Sequence, residues 1–282
     1  MVPGTRALPE PVRPTAPRRP IWCSRTTASR GSHRAVPFGS TLVRWWSDSL
    51  PEARSGSMAA RHTAQAFDAD IDALRSNVMK MGGLVERQVA RAVEGIRLMD
   101  LGIVAEVLQD EVVVNRLHVQ TDLMCNQVIA KRQPIAVDLR EIIAILHMIN
   151  DLERIGDEAK KIVLKVRRFE GRPIPISLAP VTAMAGEACD MLRLALDAFV
   201  RYDPLIAQTL SDRDLNLDRQ RDGLIAQLLS QMASDPSTVS IAMEMVLVVQ
   251  SIERVGDHAK NIAEYVVTVV EGVDRRHHAG SS

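Results

Sequence analysis

The sequence predicts an all-α protein built from two repeated antiparallel three-helix bundles, six long helices in total. Three observations carry that expectation. From Phe67 onward, apolar residues recur at three- and four-residue spacing. Aromatic residues make up only 3% of the chain, which suits an aliphatic helical core better than a sheet. The segment DLERIGDEAKKI, Asp151 to Ile162, returns as SIERVGDHAKNI, Ser251 to Ile262, with seven of twelve positions identical.

The first 57 residues stand apart from this pattern. They hold eight of the fourteen Pro, all three Trp, nine Arg and three acidic residues, without helical or strand period. They lack the continuous apolar core of a secretory signal. Such an Arg- and Ser-rich extension reads as a targeting peptide or as a stretch ahead of a natural start at Met58; it is expected to be disordered in either case.

In the body, Leu74, Val78, Met81, Val85, Val89, Val93 and Ile96 share one face of a first helix that ends near Met99. Asp100 is the expected N-cap of a second helix running to about Lys131, and Pro134 disfavours helix in the residue before it. Asp138-Leu-Arg-Glu141 reads as a capping box that opens a third helix reaching about Phe169. Gly171, Pro173 and Pro175 then mark a linker, so the first repeat spans 60–170 and the second 178–273, with a tail at 274–282. In the second repeat, a helix from about Ala179 to Arg201 precedes Asp203, read as a cap with Pro204 at the first helical position. A fifth helix runs to Ala233. Asp235-Pro236 repeats the cap-and-proline signal, and a last helix reaches about Gly272. Asp100 and Asp203 are 103 residues apart, and Glu153 and Glu253 are 100 apart.

Composition narrows the function. Net charge is formally zero, but residues 1–57 carry about +6 and the body therefore about −6. An acidic body argues against nonspecific nucleic-acid binding. Three Cys, far apart and odd in number, give neither a disulfide framework nor a zinc-knuckle spacing, and this points to a cytosolic chain. No apolar run is long enough to span a bilayer. The chain shows no nucleophile–base pair, glycine-rich phosphate loop or dinucleotide fingerprint.

The repeated acidic segment is the candidate site. Glu153 and Asp157 lie four apart on one helical face, as do Glu253 and Asp257. Gly156 and Gly256 sit beside them; a helical Gly costs about 1 kcal/mol against Ala, so a close approach is expected there. Folding each hairpin at its Pro turn sets Glu111 and Asn115 opposite Glu153 and Asp157, and Asp214 and Asp218 opposite Glu253 and Asp257. Facing carboxylate pairs repel, and a hard cation such as magnesium or manganese, or else iron or zinc, would turn the repulsion into coordination. The di-iron Glu-x-x-His pattern is absent, because Gly156 and Gly256 stand three after the glutamates. His258 points elsewhere on its helix. The competing reading is a solvated face in which Arg154, Lys160, Arg254 and Lys260 pair with these acids. Asp122 and His118 read as solvated, His147 as a bundle-edge residue, and Cys125 and Cys189 as core hydrophobes.

At these residues the chain resembles the PhoU family. IAKRQPIAVDLREI, LERIGDEAKKI and SIERVGDHAKNIAEYVV look like the family's characteristic segments, and the ending EGVDRRHH is similar to its usual close. The resemblance covers 60–278 and leaves 1–57 unexplained. It implies metal clusters held by E/D-x-x-x-D motifs: Glu111, Asn115, Glu153 and Asp157 in the first, and Asp214, Asp218, Glu253 and Asp257 in the second. The second, with four carboxylates, is expected to bind the tighter. The resemblance also implies a cytoplasmic, often dimeric negative regulator of phosphate uptake. It would act between the Pst ABC transporter ATPase subunit and a phosphate-sensing histidine kinase, reaching the membrane only through these partners. The alternative is a metal-dependent hydrolase or oxidase using the carboxylate clusters.

Overall fold

The computed structural model describes residues 58–169 and 171–272, with side chains from residue 65 onward. Its helices are α1 (Met58–Leu98), α2 (Leu101–Arg132), α3 (Ala136–Leu164), the one-turn α4 (Val166–Phe169), α5 (Ala179–Arg201), α6 (Ile206–Ser234) and α7 (Val239–Glu271). No strand occurs among the described residues. The expectations for 1–57 and for the tail 274–282 fall outside them.

The apolar stripe of α1 is buried as its spacing requires, from Leu74 through Val78, Met81, Val85 and Val89 to Ile96. The described part of the helix already includes residues 58–67, ahead of the apolar periodicity, where MAARHTAQA is rich in good helix formers. Asp100 caps α2 by accepting from the Gly102 amide at 2.7 Å.

The capping box expected at Asp138 does not form. The third helix starts at Ala136, with Ile135 as a cap that makes no side-chain bond. Asp138 falls in the first turn, where a negative charge suits the helix dipole. Glu141 turns inward instead and accepts from Arg75 Nε at 2.5 Å. Burial pushes its pKa up, against the Arg75 charge. The same helix stops at Leu164, short of Phe169. Lys165 breaks the ladder and sends its ammonium to Glu244 on α7 at 2.5 Å, and α4 then buries Val166 and Phe169.

Asp203 and Asp235 work one step away from where their spacing suggested. Asp203 accepts from the Leu205 amide at 3.0 Å, so Pro204 stands in a turn and α6 begins at Ile206. Asp235 caps a 3₁₀ turn, Pro236–Thr238, that leads into α7.

Each set of three long helices packs together, α1 with α2 and α3, and α5 with α6 and α7, joined by short turns that make neighbours antiparallel. The two sets then pack on each other, α3 along α7 and α1 along α5. At the second seam Gly82 lets the helices meet, for a Cβ there would stand 2.3 Å from Leu196 Cδ1. At the first, His258 Nδ1 lies 2.7 Å from Asp151 Oδ1. No described helix is long and apolar enough to cross a membrane.

Candidate site in the repeated acidic segments

The second acidic set forms where α6 crosses α7. Asp214 is buried and accepts from Lys260 Nζ at 2.7 Å. Asp218 accepts from Arg221 Nη1 at 2.8 Å, and the same nitrogen reaches Glu253. Arg221 also holds Asp222 through Nε at 3.0 Å. Burial raises the Glu253 pKa, with Arg221 opposing. Asp257 reaches solvent, yet its pKa is raised to about 6. Desolvation by the packed protein comes first, followed by the charges of Glu253, Asp214 and Asp218, with His258 opposing. The four acids therefore share one electrostatic neighbourhood, which Arg221 and Lys260 hold in balance.

The first set is more enclosed. Glu111 is only 3% exposed and accepts from Asn115 Nδ2 at 3.2 Å and from Gln88 Nε2 at 3.4 Å. Lys160 Nζ sits 3.8 Å from Glu111 Oε1 and 3.9 Å from Asp157 Oδ1. Burial raises the Glu111 pKa, Gln88 opposes, and Asp157 adds to the rise. Glu153 pairs instead with its neighbour Arg154, at 4.0 Å.

The two glycines face side chains from neighbouring helices. A Cβ on Gly156 would meet Glu111 Oε2 at 3.0 Å and Gln88 Oε1 at 3.3 Å, and one on Gly256 would meet Leu217 Cδ2 at 2.3 Å. Three partners went unread in the sequence. Gln88 interrupts the α1 stripe between Val85 and Val89, and its Oε1 is buried with no hydrogen-bond partner. Met191 stands 103 residues later, at the equivalent place beside Gly256. Arg221 follows Asp218 by three, a helical pair spacing that would have found it. The remaining candidates stay apart: His258 pairs with Asp151, His118 with Asn150 at 3.0 Å, and Asp122 with Asn126 at 3.2 Å. His147 stacks on Tyr265 with ring centroids 5.2 Å apart. Cys125 and Cys189 are buried, and burial pushes both thiols up to about 12.

Among the described residues, no three His, Cys, Asp or Glu side chains are arranged to hold one metal ion. The donor chemistry separates the two sets. The second offers four carboxylates, the solvent-reaching Asp257 among them, an all-oxygen donor set of the kind hard cations take, and Arg221 and Lys260 occupy it in this structure. The first fits poorly, because Glu111 is closed in by Asn115, Gln88 and Lys160 and Glu153 faces Arg154.

Comparison with known proteins meets the chain at these same helices. The PhoU domain profile matches residues 78–166 and again 181–266. A protein of Pseudomonas putida named phosphate-specific transport system accessory protein PhoU homolog is 37% identical over 217 residues, 77% of this chain and 85% of that one. The Escherichia coli protein named phosphate-specific transport system accessory protein PhoU is 34% identical over 221 residues, 78% of this chain and 91% of its own. The crystal structure of PhoU from Pseudomonas aeruginosa superposes with a TM-score of 0.70 at 36% identity, covering 73% of this chain and all of that one. These names describe accessory proteins rather than enzymes. Two domain matches on two three-helix sets, with identity above one third to both Pseudomonas proteins, place this chain in the PhoU family.

Proposed function

We propose that the chain is an accessory protein of phosphate transport that restrains uptake and represses phosphate-starvation signalling. It does so as a helical adaptor between the Pst transporter ATPase subunit and a phosphate-sensing histidine kinase. The observation that carries this is the identity to proteins named for the phosphate-specific transport system, extending over most of the chain. The adaptor works in the cytoplasm as a homodimer, through protein contacts and without a reaction of its own. The test is binding of the purified chain to the purified ATPase subunit and, separately, to the cytoplasmic part of the kinase. Saturable binding to both is the expected result; binding to neither removes the adaptor.

The second acidic set is the part of this adaptor that takes a metal ion, whether iron, zinc, magnesium or manganese. Asp214, Asp218, Glu253 and Asp257 would hold it, and the ion would supply the positive charge now supplied by Arg221 and Lys260. Arg221→Gln is then expected to raise metal affinity, because it removes the competing internal cation. Glu253→Gln with Asp257→Asn is expected to abolish binding while circular dichroism still reports the helices. Elemental analysis and metal titration read both outcomes, and an unchanged affinity in both variants would remove the site.

A further inference from the structure

Outside the acidic sets, cations gather where the end of α3, α4 and the linker meet α7. A cavity of about 350 Å³ is lined there by Lys161, Lys165, Arg168 and Arg254, with Leu164 and Leu247 as an apolar wall. Gln250 and the buried Ser251 add hydrogen-bonding groups. A neighbouring cavity of about 370 Å³ is lined by Arg167, Arg168 and Arg172 together with Ser240 and Glu244. Arg168 belongs to both.

The charge in this groove is only partly balanced. Glu158 lies 2.8 Å from Lys161 and 3.6 Å from Arg254, and Glu244 lies 2.5 Å from Lys165. Arg167, Arg168 and Arg172 have no carboxylate partner among the described residues, which exclude Glu170. Six cations thus stand against Glu158 and Glu244, on a body whose net charge is about −6. Such a concentration of one sign in a concave surface focuses the field on an anion.

We propose that this groove binds a soluble anion carrying two or more phosphate groups. Guanidinium forks and ammonium groups match phosphate oxygens in geometry and charge. Two adjoining cavities that share Arg168 offer places for more than one phosphate, and the wall of Leu164 and Leu247 takes the rest of a small molecule. A volume of about 350 Å³ is that of a small-molecule site and exceeds what a single phosphate fills. The assignment rests on the groove alone and does not depend on the regulatory or metal readings.

The test is calorimetric titration of the full chain with inorganic phosphate, pyrophosphate and ATP. The variants are Arg168→Gln with Arg172→Gln, and separately Arg254→Gln. The control is Arg116→Gln with Arg219→Gln, which removes the same charge from exposed positions elsewhere. The expected result is saturable pyrophosphate or ATP binding, weakened roughly tenfold or more in each groove variant and by no more than about twofold in the control. Equal weakening in groove and control variants would overturn the proposal, as would no saturable binding of any probe. Phosphatidylglycerol vesicles supply the same phosphate chemistry from a lipid. Vesicle binding that depends on Arg168 and Arg172, without competition from any soluble probe, would assign the groove to a headgroup and overturn the soluble ligand.

Discussion

At Asp257 the fold holds a carboxylate against its own preference. Its pKa moves from 3.8 to about 6, through burial first and the charges of Glu253, Asp214 and Asp218 after it. Between about pH 4 and about pH 6 the folded chain keeps a proton that the unfolded chain has released, so stability falls as pH rises through that window. Asp257→Asn removes this contribution. Urea midpoints across the window should therefore fall less for the variant than for the wild type, and parallel curves would refute the assignment. Glu111 and Glu253 shift in the same direction, also through burial. Saturating metal at the second set should abolish the Asp257 contribution and release a proton near pH 6, which calorimetry in buffers of different ionisation enthalpy would detect. The ExxxD spacing made these carboxylates legible in the sequence. Arg221, three after Asp218, has a legible pair spacing within α6, but its reach to Glu253 crosses from α6 to α7 and depends on the register of two helices.

The repeated glycine separates two kinds of helical position. Gly256 faces Leu217 at a hypothetical Cβ distance of 2.3 Å, whereas Gly223 has nothing within 4 Å. Gly256→Ala should destabilise by about 1–3 kcal/mol through overpacking. Gly223→Ala should stabilise by up to about 1 kcal/mol through helix propensity. Thermal denaturation of the two single variants measures the contrast, and a stabilising Gly256→Ala would show that α6 and α7 do not approach as described. Six helices were readable from apolar spacing and from the Pro and Gly breaks, as Leu74 through Ile96 on α1 illustrate. Their ends were less so. Asp138 and Glu141 have the spacing of a capping box, but Arg75 on α1 draws Glu141 inward, and such a partner is invisible to local pattern. Lys165, at the end of α3, likewise has its partner Glu244 79 positions away in sequence.

Across the whole molecule, the two three-helix sets share one core. α3 lies along α7 and α1 along α5, with His258 on Asp151 and Gly82 under Leu196 at the seams. The sequence repeat announces two units, but it does not announce how closely they pack. Scanning calorimetry of the chain should therefore give a single cooperative transition, and two resolved transitions would mean that the seams carry little stability. His258→Ala leaves buried Asp151 without its ring partner, and it should lower the transition temperature by several degrees. The most direct test of the central claim is phosphate uptake in the host cell, with the gene deleted and then restored in two forms. Wild type should return uptake to its restrained level, and Asp218→Asn/Glu253→Gln/Asp257→Asn should fail to do so while remaining folded. Uptake unaffected by deletion and by either form would contradict the account.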